Sequence, residues 1–374
     1  MSIAIKEVKN KADLKAFIHL YTRMYKDCKY SASPLHFDEV GTLRTDKNPA
    51  HKHCTSQYWI AYKDGKPAGR IAAFINRLEC EKENKMIGRF GWYDFIDDKA
   101  VSKALMDEAI KWMKEKSVVQ LHGPLGFSDL DRQGLLIEGF EEMSTFATNY
   151  NYPYYQAHLE KMGFEKSTDW VEFSLNVEHV DYPRFKKIAN FVSQKKGYEI
   201  IHCKNKKELR TYVPAIFRLL NKEYEGLYGF VSLTEEQIEY YADMFIGLIK
   251  MDLICLVKDK EGKLVGFGLT MPSFSKACLK AQGSLFPTGW FHFLQAMRKN
   301  DTIDFYLIAI DKEHQNNGVN ALFMAHIAEA AMKMKVKWAE TNINLEDNDK
   351  IQSMWSRSFD HRQHKRRRCY SINL

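Results

Sequence analysis

The residues best suited to chemistry lie in IDFYLIAIDKEHQNNGVNALFMAHIAEAAMKM, residues 303–334. A β-rich apolar run leads into a glycine-containing turn, and the turn opens a long stretch with apolar residues at helical spacing. The first amides of a helix have no partners within it, and the aligned peptide dipoles favour an anion there. Gly318 removes the side chain that would hold a phosphate off the backbone. Asn316, Asn317 and Asn320 add polar side chains without negative charge. This is a geometry for holding a pyrophosphate. No GK[ST] follows, so it is not a P-loop, and it is not a GxGxxG fingerprint.

The flanking strands supply the candidate proton chemistry. On IDFYLIAI the two-residue alternation puts Asp304, Tyr306, Ile308 and Ile310 on one face. Read as one strand, VKWAETNINL (336–345) puts Glu340, Asn342 and Asn344 on a common face at its C-terminal end, where α/β sheets usually place ligands. Glu340 is the candidate general base, directly or through a water. Asn342 and Asn344 are suited to ordering an acceptor or a pantetheine arm.

The stretch Gln315-Asn316-Asn317-Gly318-Val319-Asn320 resembles the [QR]-x-x-G-x-[GA] signature of the GNAT family of acyl-CoA-dependent N-acyltransferases. Asn320 stands where Gly or Ala is usual, and Ala321 follows one residue later. The resemblance is strong over residues 204–374. It implies acyl-CoA as co-substrate, no metal, and Ile308, Ile310, Gln315, Asn316, Asn317, Gly318, Val319 and Asn320 as the residues that bind it. It also implies catalytic roles for Glu340, Asn344 and Tyr306. A neutral amine attacks the thioester, a base takes its proton, and amides of a splayed strand hold the oxyanion. The family often places a tyrosine acid on the following helix. Trp355 lies nearest that place here and cannot serve as an acid.

The elements that position these residues occur twice. Leu14, Phe17, Ile18, Tyr21 and Tyr25 recur at helical spacing, residues 57–75 read as a hairpin turning at Gly65, and 89–96 as a strand. A helix with Val101, Leu105, Ala109 and Met113 on one face follows, then a short strand over 118–123. The second half repeats the order: a helix with Leu209, Val213, Ile216 and Leu220, a hairpin over 253–271, a strand, a helix and a strand. The expected fold is α/β, two tandem GNAT-like domains, each a mixed central sheet flanked by helices on both faces. The expected division is 1–180 and 181–374, with the boundary in the polar stretch 177–198. In the first copy the corresponding turn, FIDDKAVSKAL (95–105), has two aspartates and no glycine where a pyrophosphate would sit. That copy is expected not to hold coenzyme A, and to shape the acceptor side.

Composition narrows the class. The chain has 374 residues, 45% of them hydrophobic and 13% aromatic, which excludes a disordered or collagen-like protein. No apolar stretch is long enough to span a bilayer, and no signal peptide is evident. Seven scattered cysteines without a CxxC pair point to thiols in a cytoplasmic protein. The formal charge of +7 owes much to HRQHKRRR (361–368), read as a charged edge strand that discourages pairing. Nucleic acid is not an expected partner. The aromatic run GSLFPTGWFHFLQAM (283–297) reads first as core, with an acyl-chain wall or a membrane-resting edge as the sharper alternative. HKHC (51–54) reads as a loop, and no metal is expected.

Residues 122–143 and 149–164 are dense in Gly, Pro, Tyr and acids, and Glu138, Tyr150, Tyr152 and Tyr155 are candidates to line an acceptor pocket. These two stretches resemble bacterial tandem-GNAT proteins, and more loosely the bacterial acyl-CoA-dependent ceramide synthases. That looser resemblance implies a long-chain amino alcohol as the amine acceptor, and the aromatic run and the basic end fit a lipidic acceptor at a membrane surface, with peripheral membrane contact. The expectation is an N-acyltransferase moving an acyl group from coenzyme A to a primary amine. Its rivals are a non-catalytic acyl-CoA-binding protein and an aminoacyl-tRNA-dependent transferase.

Overall fold

The computed structural model describes residues 2–374. In chain order the elements are β1 (Ile3–Glu7), α1 (Lys11–Met24), α2 (His36–Leu43), β2 (Cys54–Lys63), β3 (Lys66–Asn76), α3 (Arg77–Glu83), β4 (Ile87–Phe95), α4 (Lys99–Glu115), β5 (Gln120–Gly123), β6 (Leu135–Glu138), α5 (Tyr154–Lys161) and β7 (Glu165–Asn176). They continue with α6 (Tyr182–Lys196), β8 (Glu199–Ile201), α7 (Lys206–Tyr224), α8 (Glu235–Ile246), β9 (Ile254–Lys258), β10 (Leu264–Pro272), α9 (Ser275–Ala281), α10 (Gly289–Arg298) and β11 (Thr302–Ile310). The last are α11 (Val319–Met334), β12 (Trp338–Thr341), β13 (Asn344–Leu345), α12 (Asp349–Ser358) and β14 (Asp360–Asn373). Among the described residues no helix is long and apolar enough to cross a membrane.

The chain forms two compact units. One comprises Met1–Val171, Phe274–Phe293 and His364–Leu374, the other Glu172–Ser273 and Leu294–Gln363. Their division falls within β7, not in the polar stretch 177–198. That stretch is polar because it carries α6, a solvent-facing helix with Asp181 capping its start and Gly197 ending it in the left-handed conformation.

In the N-terminal unit the strands run β1-β2-β3-β4-β5-β14-β7, with β6 beside β14. β1 to β4 pair antiparallel in succession, and β4 pairs parallel with β5. Alternation along β3 sends Ile71 and Ala73 toward α4, where Val101, Leu105, Met106, Ala109 and Met113 are buried. It sends Ala72 and Phe74 to the opposite face, against Phe17 and Ile18 of α1. Burying each such large side chain contributes roughly 1.5–3 kcal/mol, so both helices are held by the sheet more than by their own propensity.

The basic run is a strand, as read, but not an edge. β14 lies between β5 and β7. Lys365 and Arg367 are buried, and their charged ends donate to the carbonyls of Met143 (2.9 Å) and Asn149 (2.6 Å). Arg366 and Arg368 project to the other face and grip the carboxylate of Asp169. Burial requires a partner for each charge, and the loops supply them.

In the C-terminal unit the order is β7-β12-β11-β10-β9-β8, with β13 beside β7. β11 and β12 are parallel, and β12 to β7 and β8 through β11 are antiparallel. α6 and α11 cover one face, where Val192, Val257, Val265, Val319, Leu322 and Phe323 pack together. α7 lies against β10 and β11. Helix, hairpin, strand, helix, strand therefore recurs in both units, with the parallel strand pair in the same place.

Candidate active site

The turn between β11 and α11 takes the shape its residues allow. Asn316 and Gly318 have φ of 62° and 90°. Gly318 is the N-cap of α11, and no side chain caps the helix. A Cβ at Gly318 would lie 2.5 Å from Val192 Cγ2 of α6, so glycine is required there twice, by the backbone angle and by the neighbour. The uncapped first amides of a sixteen-residue helix are what an anion needs.

The last turn of α7 holds this connection in place. Lys222 Nζ donates to both carboxylate oxygens of Asp311, at 2.9 and 3.0 Å. Burial alone would raise the pKa of Asp311, but the Lys222 hydrogen bond, the Glu313 amide and the nearby Lys222 and Lys263 charges bring it below the usual carboxylate range. Glu223 accepts from the Lys312 amide at 3.1 Å, and Tyr224 Oη donates to the Ile308 carbonyl at 3.0 Å. Gln315 Nε2 donates back to the Ile310 carbonyl at 3.1 Å, so the first residue of the motif shapes the loop from inside. On the other side of the turn Lys196 Nζ donates to Asn317 Oδ1 at 3.2 Å, and Tyr198 Oη meets His314 Nδ1 at 2.9 Å. None of Lys196, Lys222, Glu223 and Tyr224 was singled out by the sequence. Spacing within one element says nothing about a partner from another.

β11 and β12 part company at the site. Their parallel register covers Thr302–Trp338 through Phe305–Thr341 only. The β10 register skips a residue of β11 between Phe305 and Leu307, which makes Tyr306 a β-bulge. The single face expected for Asp304, Tyr306, Ile308 and Ile310 is therefore interrupted. Tyr306 is buried, with its ring 5.3 Å from Phe245. Ile308 and Ile310 lean on the core beside Val319 and Phe323. Past Phe305 the backbone of β11 has no β12 partner, which leaves an open edge leading to the turn.

β12 itself ends at Thr341, not at residue 345, because two asparagines turn inward on the backbone. Asn342 donates from its amide to the Phe305 carbonyl (2.9 Å) and from Nδ2 to the Tyr306 carbonyl (3.3 Å). Asn344 Nδ2 donates to Thr341 Oγ1 and the Asn342 carbonyl, and its Oδ1 accepts from Trp355 Nε1 at 3.3 Å. Asparagine offers the backbone this alternative to a ladder. Trp355 is buried, 4.9 Å between centroids from Phe305.

Glu340 stays on β12, half-buried. The register sets it beside Asp304 on one side and Ser174 on the other. A carboxylate oxygen of Glu340 lies within 4.8 Å of one of Glu172, which is fully buried. The candidate base thus stands among two further acids, Asp304 and Glu172, which lie on other strands. Strand register was the missing information.

The N-terminal unit treats the equivalent helix differently. Asp98 is the N-cap of α4, and its Oδ1 accepts from the amides of Ala100 (2.8 Å) and Val101 (3.3 Å). Lys63 closes on the same carboxylate. The Lys63 hydrogen bond first, then the two amides, hold Asp98 below the usual carboxylate range. A protein carboxylate occupies the place an incoming phosphate would take. Asp immediately before a helix was a legible signal for this.

The four acceptor-side candidates separate into two kinds. Tyr155 is fully enclosed, with its hydroxyl on Tyr25 Oη at 2.7 Å and accepting from the Phe95 amide. Tyr150 is buried and donates to the Phe140 carbonyl at 3.1 Å. Tyr152 is half-buried, stacked 5.1 Å from Tyr25. Glu138 is exposed at the end of β6, 3.6 Å from Arg366. His51 packs edge-on against Phe127, and His326 lies half-buried on α11. The aromatic run is not core: Phe286, Trp290, Phe291 and Leu294 are exposed.

No family model matches the chain. It is 29% identical over 372 residues to protein YghO of Escherichia coli (strain K12), covering 98% of this chain and 94% of that protein. It is 25% identical over 300 residues to the bacterial ceramide synthase of Caulobacter vibrioides (strain NA1000 / CB15N), covering 79% and 77%. A tandem GNAT protein from the clavulanic acid biosynthesis pathway, solved without acetyl-CoA, superimposes with a TM-score of 0.59 over 100% of this chain and 98% of that one, at 13% identity. Two repeated α/β units, a bulged and splayed central strand and an uncapped glycine turn after it give this chain the fold of the tandem GNAT N-acetyltransferases.

Proposed function

We propose that the protein transfers an acyl group from a coenzyme A thioester to a primary amine, with a long-chain amino alcohol as the acceptor class. The observation that carries this reading is the contrast between two equivalent helices. α11 opens on Gly318 without a side-chain cap, whereas α4 is capped by Asp98. The C-terminal unit takes the pyrophosphate, and the N-terminal unit takes none. The acceptor class is supported by the similarity to a protein named for ceramide synthesis.

In this reading Gln315, Asn316, Asn317, Gly318, Val319 and Asn320 hold the pyrophosphate, and the open edge of β11 at Ile308 and Ile310 receives the pantetheine arm. The amine attacks the thioester carbonyl, and backbone amides of β11 stabilise the oxyanion. Glu340 takes the ammonium proton, directly or through a water. The C–N bond forms first, collapse of the oxyanion then breaks the C–S bond, and the departing thiolate needs a proton. Trp355 cannot give it. Tyr224, whose hydroxyl already lies on the Ile308 carbonyl, is placed to do so. Tyr306 and Asn344 shape the site through the bulge and the end of β12. Glu138 and Tyr152 are the acceptor-side candidates that reach the surface of the N-terminal unit.

The test is acyl transfer to sphinganine from acetyl-CoA and from a long-chain acyl-CoA, read as amide product by mass spectrometry and as released thiol. Glu340→Gln is expected to cut turnover by about 10²–10⁴ while coenzyme A still raises the melting point. Wild-type turnover in that variant would remove Glu340 from the mechanism. Coenzyme A binding with no acylation of any amine would favour a non-catalytic acyl-CoA-binding protein.

A further inference from the structure

We propose that the exposed aromatic face at residues 284–298 docks on an anionic lipid surface. Phe286 is 78% exposed, Phe291 55%, Trp290 45% and Leu294 47%, all within nine residues, whereas the other exposed Phe and Trp rings, Phe37, Phe191 and Trp338, lie far apart in the sequence. At 3.6 residues per turn, Trp290, Phe291, Leu294 and Arg298 fall within one side of α10, and Pro287 precedes them on that side. His292, Phe293 and Ala296, turned away from that side, are half-buried, and so is Met297, which lies one edge over beside Trp290. The helix is amphipathic with its apolar aromatic stripe outward, the reverse of a helix that packs a core.

The inner side is fastened. Phe293 stacks on Phe274 at 5.4 Å, and Phe274 meets Phe146 edge-on at 6.0 Å. The Gly283 carbonyl accepts from the His36 amide at 2.8 Å. Trp290 Nε1 donates to the Pro287 carbonyl at 2.9 Å, so the indole is satisfied locally and its ring is free to bury. The aromatic face is therefore held outward by packing behind it.

Charge selects the partner. From 273 to 300 the sequence carries Lys276, Lys280, Arg298 and Lys299 and no Asp or Glu, although the chain has 48 acids in all. All four cations are exposed. Trp and Phe beside Lys and Arg, on a helix of modest length, is the composition of an interfacial helix on acidic headgroups. A second copy of this chain would bring the same cations against themselves, which opposes self-association through this face. The proposal rests on this surface alone and not on acyl transfer.

The full-length protein should float with vesicles of phosphatidylcholine mixed with phosphatidylglycerol, and much less with phosphatidylcholine alone. Added salt should weaken the binding. The double variant Trp290→Ser/Phe291→Ser should bind the mixed vesicles at least about tenfold more weakly, with an unchanged melting point because both rings are exposed. Lys276→Glu/Lys280→Glu should erase the preference for phosphatidylglycerol. Neither pair should alter stabilisation by coenzyme A, so this inference and the acyl-transfer reading fail separately. No flotation of the wild type would overturn the proposal, as would equal flotation of the serine variant, or a solution dimer that the serine variant dissociates.

Discussion

Replacing Gly318 by alanine adds one methyl group and tests the tightest point of the site. The residue has φ of 90°, and its Cβ would meet Val192 Cγ2 at 2.5 Å. The backbone angle alone costs roughly 1–2 kcal/mol for a residue with a side chain. The overlap adds about 1–3 kcal/mol, since Val192 is buried on α6 and has little room to retreat. The total is about 2–5 kcal/mol, a loss on the order of 10 °C in the melting point for a unit of this size. A double-mutant cycle separates the two causes. Val192→Ala by itself removes two buried methyl-sized groups and costs about 2 kcal/mol. In that background Gly318→Ala should keep only its backbone cost, giving a favourable coupling of about 1–3 kcal/mol. The assay is chemical unfolding of the four proteins, followed by circular dichroism. Additivity within about 0.5 kcal/mol would refute the argument that α6 closes over the turn.

Two other perturbations address roles assigned above. Asp98→Ala should cost about 1 kcal/mol of stability in the N-terminal unit through the lost cap, without changing stabilisation by coenzyme A. Because the folded-state value of Asp98 is depressed, its stabilisation is fully present above the unfolded value near 4 and is lost as pH falls through the folded value. Unfolding midpoints of wild type and variant should converge in acid, and a constant difference would deny Asp98 its ionised role. Tyr224→Phe should lower turnover by about 10²-fold or more and leave coenzyme A binding intact, as an acid for the thiolate requires. A loss confined to KM would make it a positioning residue.

Much of the scaffold was legible in the sequence because each element's pattern is local. Val101, Leu105, Ala109 and Met113 at helical spacing define α4, and the turns at Gly65 and Gly262 define two hairpins. The glycine turn that opens α11 was legible too, since Gln315 to Asn320 are contiguous. What local pattern hides is register and company. A period of two cannot reveal the bulge at Tyr306, nor that Asn342 and Asn344 would bond to backbone instead of continuing β12. The charges of Lys365 and Arg367 look solvated until the loops that offer Met143 and Asn149 carbonyls are in place. The aromatic run of 283–297 has a core composition, and only the fold reveals that Phe293 faces in while Trp290 and Phe291 face out.

Acyl-CoA binding by the C-terminal unit is tested most directly by calorimetric titration of the full-length protein with coenzyme A and a long-chain acyl-CoA. The expected result is one site per chain, with the long-chain thioester bound more tightly and each ligand raising the melting point by mass action. Two sites per chain would contradict the assignment of the Asp98-capped helix as closed, and no binding of either ligand would contradict the acyl-CoA reading itself.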